Sequence, residues 1–106
     1  MNDARTIYRE AFQHFVDDRL EEAIAGYRRA VEADPKLAIA WTGLSKAHQR
    51  RGELDLAIEA AHRIVELEPD DPLSFTNLSI LYQAKGMIPE AEDAKARALQ
   101  LENTAR

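Results

Sequence analysis

A chain of 106 residues has room for one small domain; with 45% hydrophobic and 31% charged residues it is too apolar to be disordered and too charged for a bilayer. The absence of cysteine excludes disulfides and thiolate metal sites, and a formal charge of −5 argues against nucleic acid as a partner. The longest uncharged run, Pro72 to Ala84, falls short of the roughly 20 residues of a membrane span, no apolar secretion signal opens the chain, and the cytoplasm is the default compartment.

In chain order the predicted elements come in pairs, and the pairs repeat. The first copy, 4–37, opens on a helix carrying Ile7 and Ala11. Its second helix, over 20–33, carries Leu20, Ala23, Tyr27 and Ala30, and Asp34-Pro35 closes it. The second copy, 38–71, opens with Trp41, Leu44, Ser45 and His48 at i, i+3, i+4, i+7, one stripe of a helix. Gly52 ends that helix, as a residue able to take positive φ should. The next helix covers 54–67, with Leu54, Ala57 and Ile64, and Glu68-Pro69 follows. The third copy, 72–105, begins after Asp71 with Pro72 and repeats the stripe as Phe75, Leu78, Ser79 and Tyr82. Gly86 ends it, and a last helix spans 88–102 with Ile88, Ala91 and Ala98.

Each equivalent lies 34 residues from the next: Ala23, Ala57 and Ala91; Ala11, Ser45 and Ser79; Gly52 and Gly86; Pro35 and Pro69. A period of this size predicts an all-α solenoid of three helix-turn-helix repeats, six helices in one domain over 1–106. The short side chains Ala11, Ser45 and Ser79 are expected to face Ala23, Ala57 and Ala91, letting the two helices of a pair approach closely.

No constellation for chemistry emerges. His14 and His48 share a repeat slot that Tyr82 fills in the third copy, and that slot is expected to face the partner helix of its own pair. Adjacent copies stack about 10 Å apart, so the two histidines do not converge on one metal, and His62 stands alone on a second helix. Asp17-Asp18 and Asp70-Asp71 read as helix caps. No Gly-rich phosphate loop, nucleophile elbow or metal-ligand spacing is present. The expectation is a protein that is not an enzyme and takes no cofactor or metal.

These residues resemble the tetratricopeptide repeat family. The second copy supplies Trp41, Leu44, Ser45, Gly52, Ala57 and Pro69 of its pattern, and the third Phe75, Leu78, Ser79, Tyr82, Gly86, Ala91 and Ala98. The first keeps Ala11, Ala23, Tyr27, Ala30 and Pro35 but has Ile7 and Glu10 at preferred positions and Asp18 in the glycine slot. The resemblance implies a right-handed superhelix whose concave groove is lined by the first helix of each pair.

On that implication the groove stripes are Arg5, Tyr8, Phe12 and Phe15; Ile39, Thr42, Lys46 and Gln49 with Arg50; and Leu73, Thr76, Ile80 and Gln83 with Asn77. Each set is spaced three or four residues apart, so each shares a helix face. Between Ala38 and Arg51 there are three bases and no acid, while the acids sit mostly on second helices. The expected partner is therefore a protein or peptide segment, acidic and with apolar anchors, held by a scaffold or adaptor. A family subset binds acidic chaperone tails through a clamp; Tyr8, Phe12, Gly43, Leu73 and Asn77 stand at the matching positions without the clamp residue types, so that activity is not expected. The alternative is self-association into a homo-oligomer through Phe15, Leu99 and Leu101, the two leucines lying on a last helix expected to leave them exposed.

Overall fold

The computed structural model describes residues 3–104. Six helices follow one another: α1 (Ala4–Val16), α2 (Leu20–Ala33), α3 (Ala38–Arg50), α4 (Leu54–Leu67), α5 (Pro72–Lys85) and α6 (Ile88–Thr104). They form three antiparallel pairs, α1/α2, α3/α4 and α5/α6, and each second helix packs on the first helix of the next pair. The result is elongated, 42 × 29 × 19 Å, because each repeat touches only its neighbours. The helix bounds agree with the periodicity, α6 running two residues further than expected.

Local chemistry sets the ends. Asp3 Oδ1 accepts from the Thr6 N–H at 2.8 Å and Asp71 Oδ1 from the Leu73 N–H at 3.0 Å, satisfying donors the first turns of α1 and α5 leave free. Pro72 opens α5, where its missing N–H costs nothing. Gly52 and Gly86, with φ of +79° and +84°, turn the chain between the helices of their pairs. Asp18 does the same in the first pair at φ +61°. The reading of Asp17 and Asp18 as helix caps holds for Asp17, the C-cap of α1, and is corrected for Asp18, which makes the left-handed turn; α2 has Arg19 at its N-cap and no side-chain cap bond.

The small slots meet as expected. Ser45 Oγ donates to the Ala57 carbonyl at 2.9 Å and Ser79 Oγ to that of Ala91 at 2.8 Å, so two pairs are tied by the same bond. Two apolar clusters run through the first half. Ala11, Ala23, Ile24, Tyr27, Leu44 and Ala47 join the first pair to the second, and Ile7, Ala30, Val31 and Leu37 pack beside them. Ala57, Ile58, Leu78, Leu81 and Ala94 continue the core into the third pair. The buried polar residues Ser45, His48 and Ser74 are each bonded, and among the described residues no buried side-chain polar atom lacks a partner.

Candidate functional site

Because α1, α3 and α5 stand side by side, their exposed stripes form one face. Among the described residues that face holds four of the eight exposed large apolar side chains: Phe12, Ile39, Leu73 and Ile80. Its charge is equally one-sided. The first helices carry five bases and a single acid, Glu10, whereas the second helices carry ten acids and five bases.

Two clefts indent this face. One, of about 140 Å³ between α1 and α3, is walled by Tyr8, Phe12, Phe15 and Ile39 over Tyr27 and Gly43. The other, of about 200 Å³ between α3 and α5, has Gln49, Asn77 and Ile80 at its rim over Ser45, Ile64 and Leu81. Thr42 and Lys46 border both, so Lys46 stands on the wall between them.

The aromatic cleft has a particular origin. Tyr27, 1% exposed, comes from α2 beneath the face and meets the Tyr8 ring at 5.7 Å between centroids; Tyr8 in turn stacks on Phe12 at 6.1 Å. Tyr27 lies so close to α3 that a Cβ at position 43 would sit 2.4 Å from its ring, which is why that slot is glycine. One repeat later the sizes are exchanged, with Ala61 in the slot of Tyr27 and Asn77 in that of Gly43. Burial pushes the Tyr27 phenol up to about 12. Tyr27 was missing from the expected site because it belongs to a second helix; the exchange of large and small at a 34-residue offset was its signal.

Of the expected groove residues, Tyr8, Phe12, Phe15, Ile39, Thr42, Lys46, Gln49, Asn77 and Ile80 border the clefts, whereas Arg5, Leu73, Thr76 and Gln83 lie on the same helices outside them. The polar members divide. Thr42 and Thr76 spend their hydroxyl protons on the carbonyls of Ala38 and Pro72, each at 3.1 Å. The Arg50 guanidinium lies 4.2 Å from the Phe15 ring centroid and 3.8 Å from Asp18, so it is committed rather than open to a ligand. Among the described residues the side chains of Lys46, Gln49 and Asn77 make no hydrogen bond or ion pair.

The histidines correct the sequence reading. His62 is not alone: its Nε2 lies 2.9 Å from the hydroxyl of Tyr82 on the next repeat. The slot of Tyr82 therefore also reaches the second helix of the preceding pair, because the stacking of repeats brings that helix alongside. His48 Nδ1 lies 3.0 Å from Glu53 Oε1. That hydrogen bond, then Arg51 beside it, holds the Glu53 carboxyl below its ordinary range. Among the described residues no group of three or more His, Asp or Glu side chains could share a metal.

The ends of the stack are more polar than expected. On the outer face of α6, Glu92 replaces the buried Ile24 and Ile58 of earlier repeats, and Lys95 replaces Tyr27 and Ala61. Leu99 is 51% exposed where its equivalent Val31 is 7%. Leu101, expected to stand exposed beside it, is half-buried. On α1, Glu10 and Gln13 replace the buried Leu44 and Ala47.

Repeated helix pairs, a shared first-helix face and a 34-residue period define a helical-repeat solenoid. The chain belongs to the tetratricopeptide repeat family, whose model matches residues 15–76. Among solved structures it is similar to MamA, at 26% identity and TM-score 0.92 over 97% of this chain and 60% of that one. It also resembles in fold the first tetratricopeptide domain of Spaghetti (RPAP3) bound to the HSP90 peptide SRMEEVD, with 22% identity, TM-score 0.87 and coverage of 95% and 80%. The CopN–Scc3 complex matches at 21% identity and TM-score 0.88, over 92% and 58%. The chain thus spans about 60% of the length of MamA. No curated protein matches it by sequence. Among the described residues no helix is long and apolar enough to cross a membrane.

Proposed function

We propose that the chain is a non-enzymatic interaction module that holds a segment of another protein along the face of α1, α3 and α5, as a scaffold or adaptor. The observation that carries this reading is the gathering of exposed apolar side chains and two clefts on a face that is poor in acids. Exposed apolar surface of this kind favours binding, since covering it removes it from water. Among similar folds, one holds an HSP90 peptide. The present chain lacks the clamp residue types at the positions of Tyr8, Phe12, Gly43, Leu73 and Asn77, so its ligand differs. Self-assembly through the end of α6 has Leu99 in its favour, while Glu92 and Lys95 beside it oppose burial.

A substitution at the shared wall tests the reading. Peptides selected from a random display library should be retained by the wild-type chain. They should be lost by Thr42→Trp, whose larger side chain on the helix between the clefts obstructs the groove, with helicity and melting temperature preserved. Undiminished binding by a folded Thr42→Trp chain would contradict the proposal.

A further inference from the structure

We propose that the two clefts read a linear acidic motif: one large apolar residue with an Asp or Glu no more than two positions away. This rests on the groove reading above and gives it a ligand chemistry. The α1–α3 cleft, at about 140 Å³, is close to the size of an apolar cavity that takes one benzene ring. Its aromatic walls suit a Phe- or Leu-sized side chain. Lys46 stands at the edge of that cleft with its ammonium unpaired, and α3 and α5 contain no acid at all.

Spacing fixes the motif. Neighbouring helices lie about 10 Å apart, and an extended chain advances about 3.3 Å per residue, so roughly three residues carry a peptide from one cleft to the next. The residue beside the anchor passes over Lys46, and a carboxylate there pairs with the unpaired ammonium. Beyond it the peptide backbone reaches Gln49 and Asn77, whose amides are free to donate and accept. The hydroxyls of Thr42 and Ser45, already spent on backbone carbonyls, contribute shape. The carboxylate is a side chain of an internal segment, because both clefts lie open along the face.

Selection from a phage-displayed random dodecapeptide library, run in parallel on the wild-type chain and on Lys46→Glu, tests this. The wild-type pool should pair an apolar residue with an acid within two positions. A fluorescein-labelled peptide made from it should lose about tenfold or more in affinity on Lys46→Glu. The Lys46→Glu pool should carry Lys or Arg where the acid stood, and amidating the C-terminus should leave affinity unchanged. A wild-type pool that binds the groove but lacks the acid, or binds Lys46→Glu equally well, would overturn the motif and leave the groove reading intact. So would an affinity that depends on the free C-terminal carboxylate. Binders insensitive to Thr42→Trp, or no enriched pool, would overturn both.

Discussion

At the scale of single residues, backbone sterics and close contact govern. Asp18 occupies a left-handed conformation that its repeat equivalents meet with glycine, and at Gly52 and Gly86 nothing lies within reach of a Cβ, so the constraint is backbone strain alone. Asp18→Gly should therefore stabilise the chain by about 0.5–1 kcal/mol, read from chemical denaturation; the exposed Asp18–Arg50 pair it removes is worth little. Gly43 answers to the Tyr27 ring. Gly43→Asn should cost about 1–3 kcal/mol through overpacking, and Tyr27→Ala in the same chain, copying the Ala61–Asn77 arrangement, should recover part of that cost in a double-mutant cycle. Two of the shifted groups, Glu53 and Tyr27, give opposite pH dependences. Glu53 titrates below its ordinary 4.5, so its stabilisation is complete above pH 4.5 and is lost as pH falls through the lowered value. Glu53→Gln should flatten the acid side of the melting-temperature profile. Tyr27 titrates above its ordinary 10, at about 12, so the folded state keeps a proton that the unfolded chain gives up. Stability should fall between pH 10 and about 12, and Tyr27→Phe should lessen the fall.

At the scale of the helix, the sequence was legible where one physical cause acts. Periodicity marked the paired helices because apolar stripes recur on each, and Asp71 capped α5 as its position before Pro72 suggested. Asp18 departs from the cap reading because the same short polar residue serves a cap or a left-handed turn, and only the backbone tells them apart. The small slots combine packing with a bond that composition does not reveal: Ser45 and Ser79 fit like alanine yet tie α3 to α4 and α5 to α6. Ser45→Ala should cost about 1 kcal/mol, since the Ala57 carbonyl remains inside a helix. Ala57→Leu, at a fully buried contact, should cost about 1–3 kcal/mol. Both values follow from equilibrium unfolding.

At the scale of the whole molecule, the stacking register decides what the sequence left open. The face of the candidate site could be read from stripes spaced three and four apart, but its depth could not. Tyr27 reaches the aromatic cleft from a second helix, and Arg50, counted as a ligand group, is drawn onto Phe15 by the approach of α3 to α1. The same register bears on self-assembly. Continuing the stack head to tail would set Lys95 of one copy against Arg9 of the next, where Tyr27 and Gly43 meet within the chain. Like charges, and the burial of Glu92 that such stacking would impose, oppose that contact, so light scattering should give a monomer over a wide concentration range.

The central claim is that the face of α1, α3 and α5 holds a peptide. The measurement that reaches it most directly is amide chemical-shift mapping of the labelled chain, titrated with a peptide selected from the random library. The account predicts saturable shifts concentrated around Phe12, Ile39, Thr42, Lys46, Asn77 and Ile80. Shifts confined to the outer side of α6 or to the second helices would contradict it.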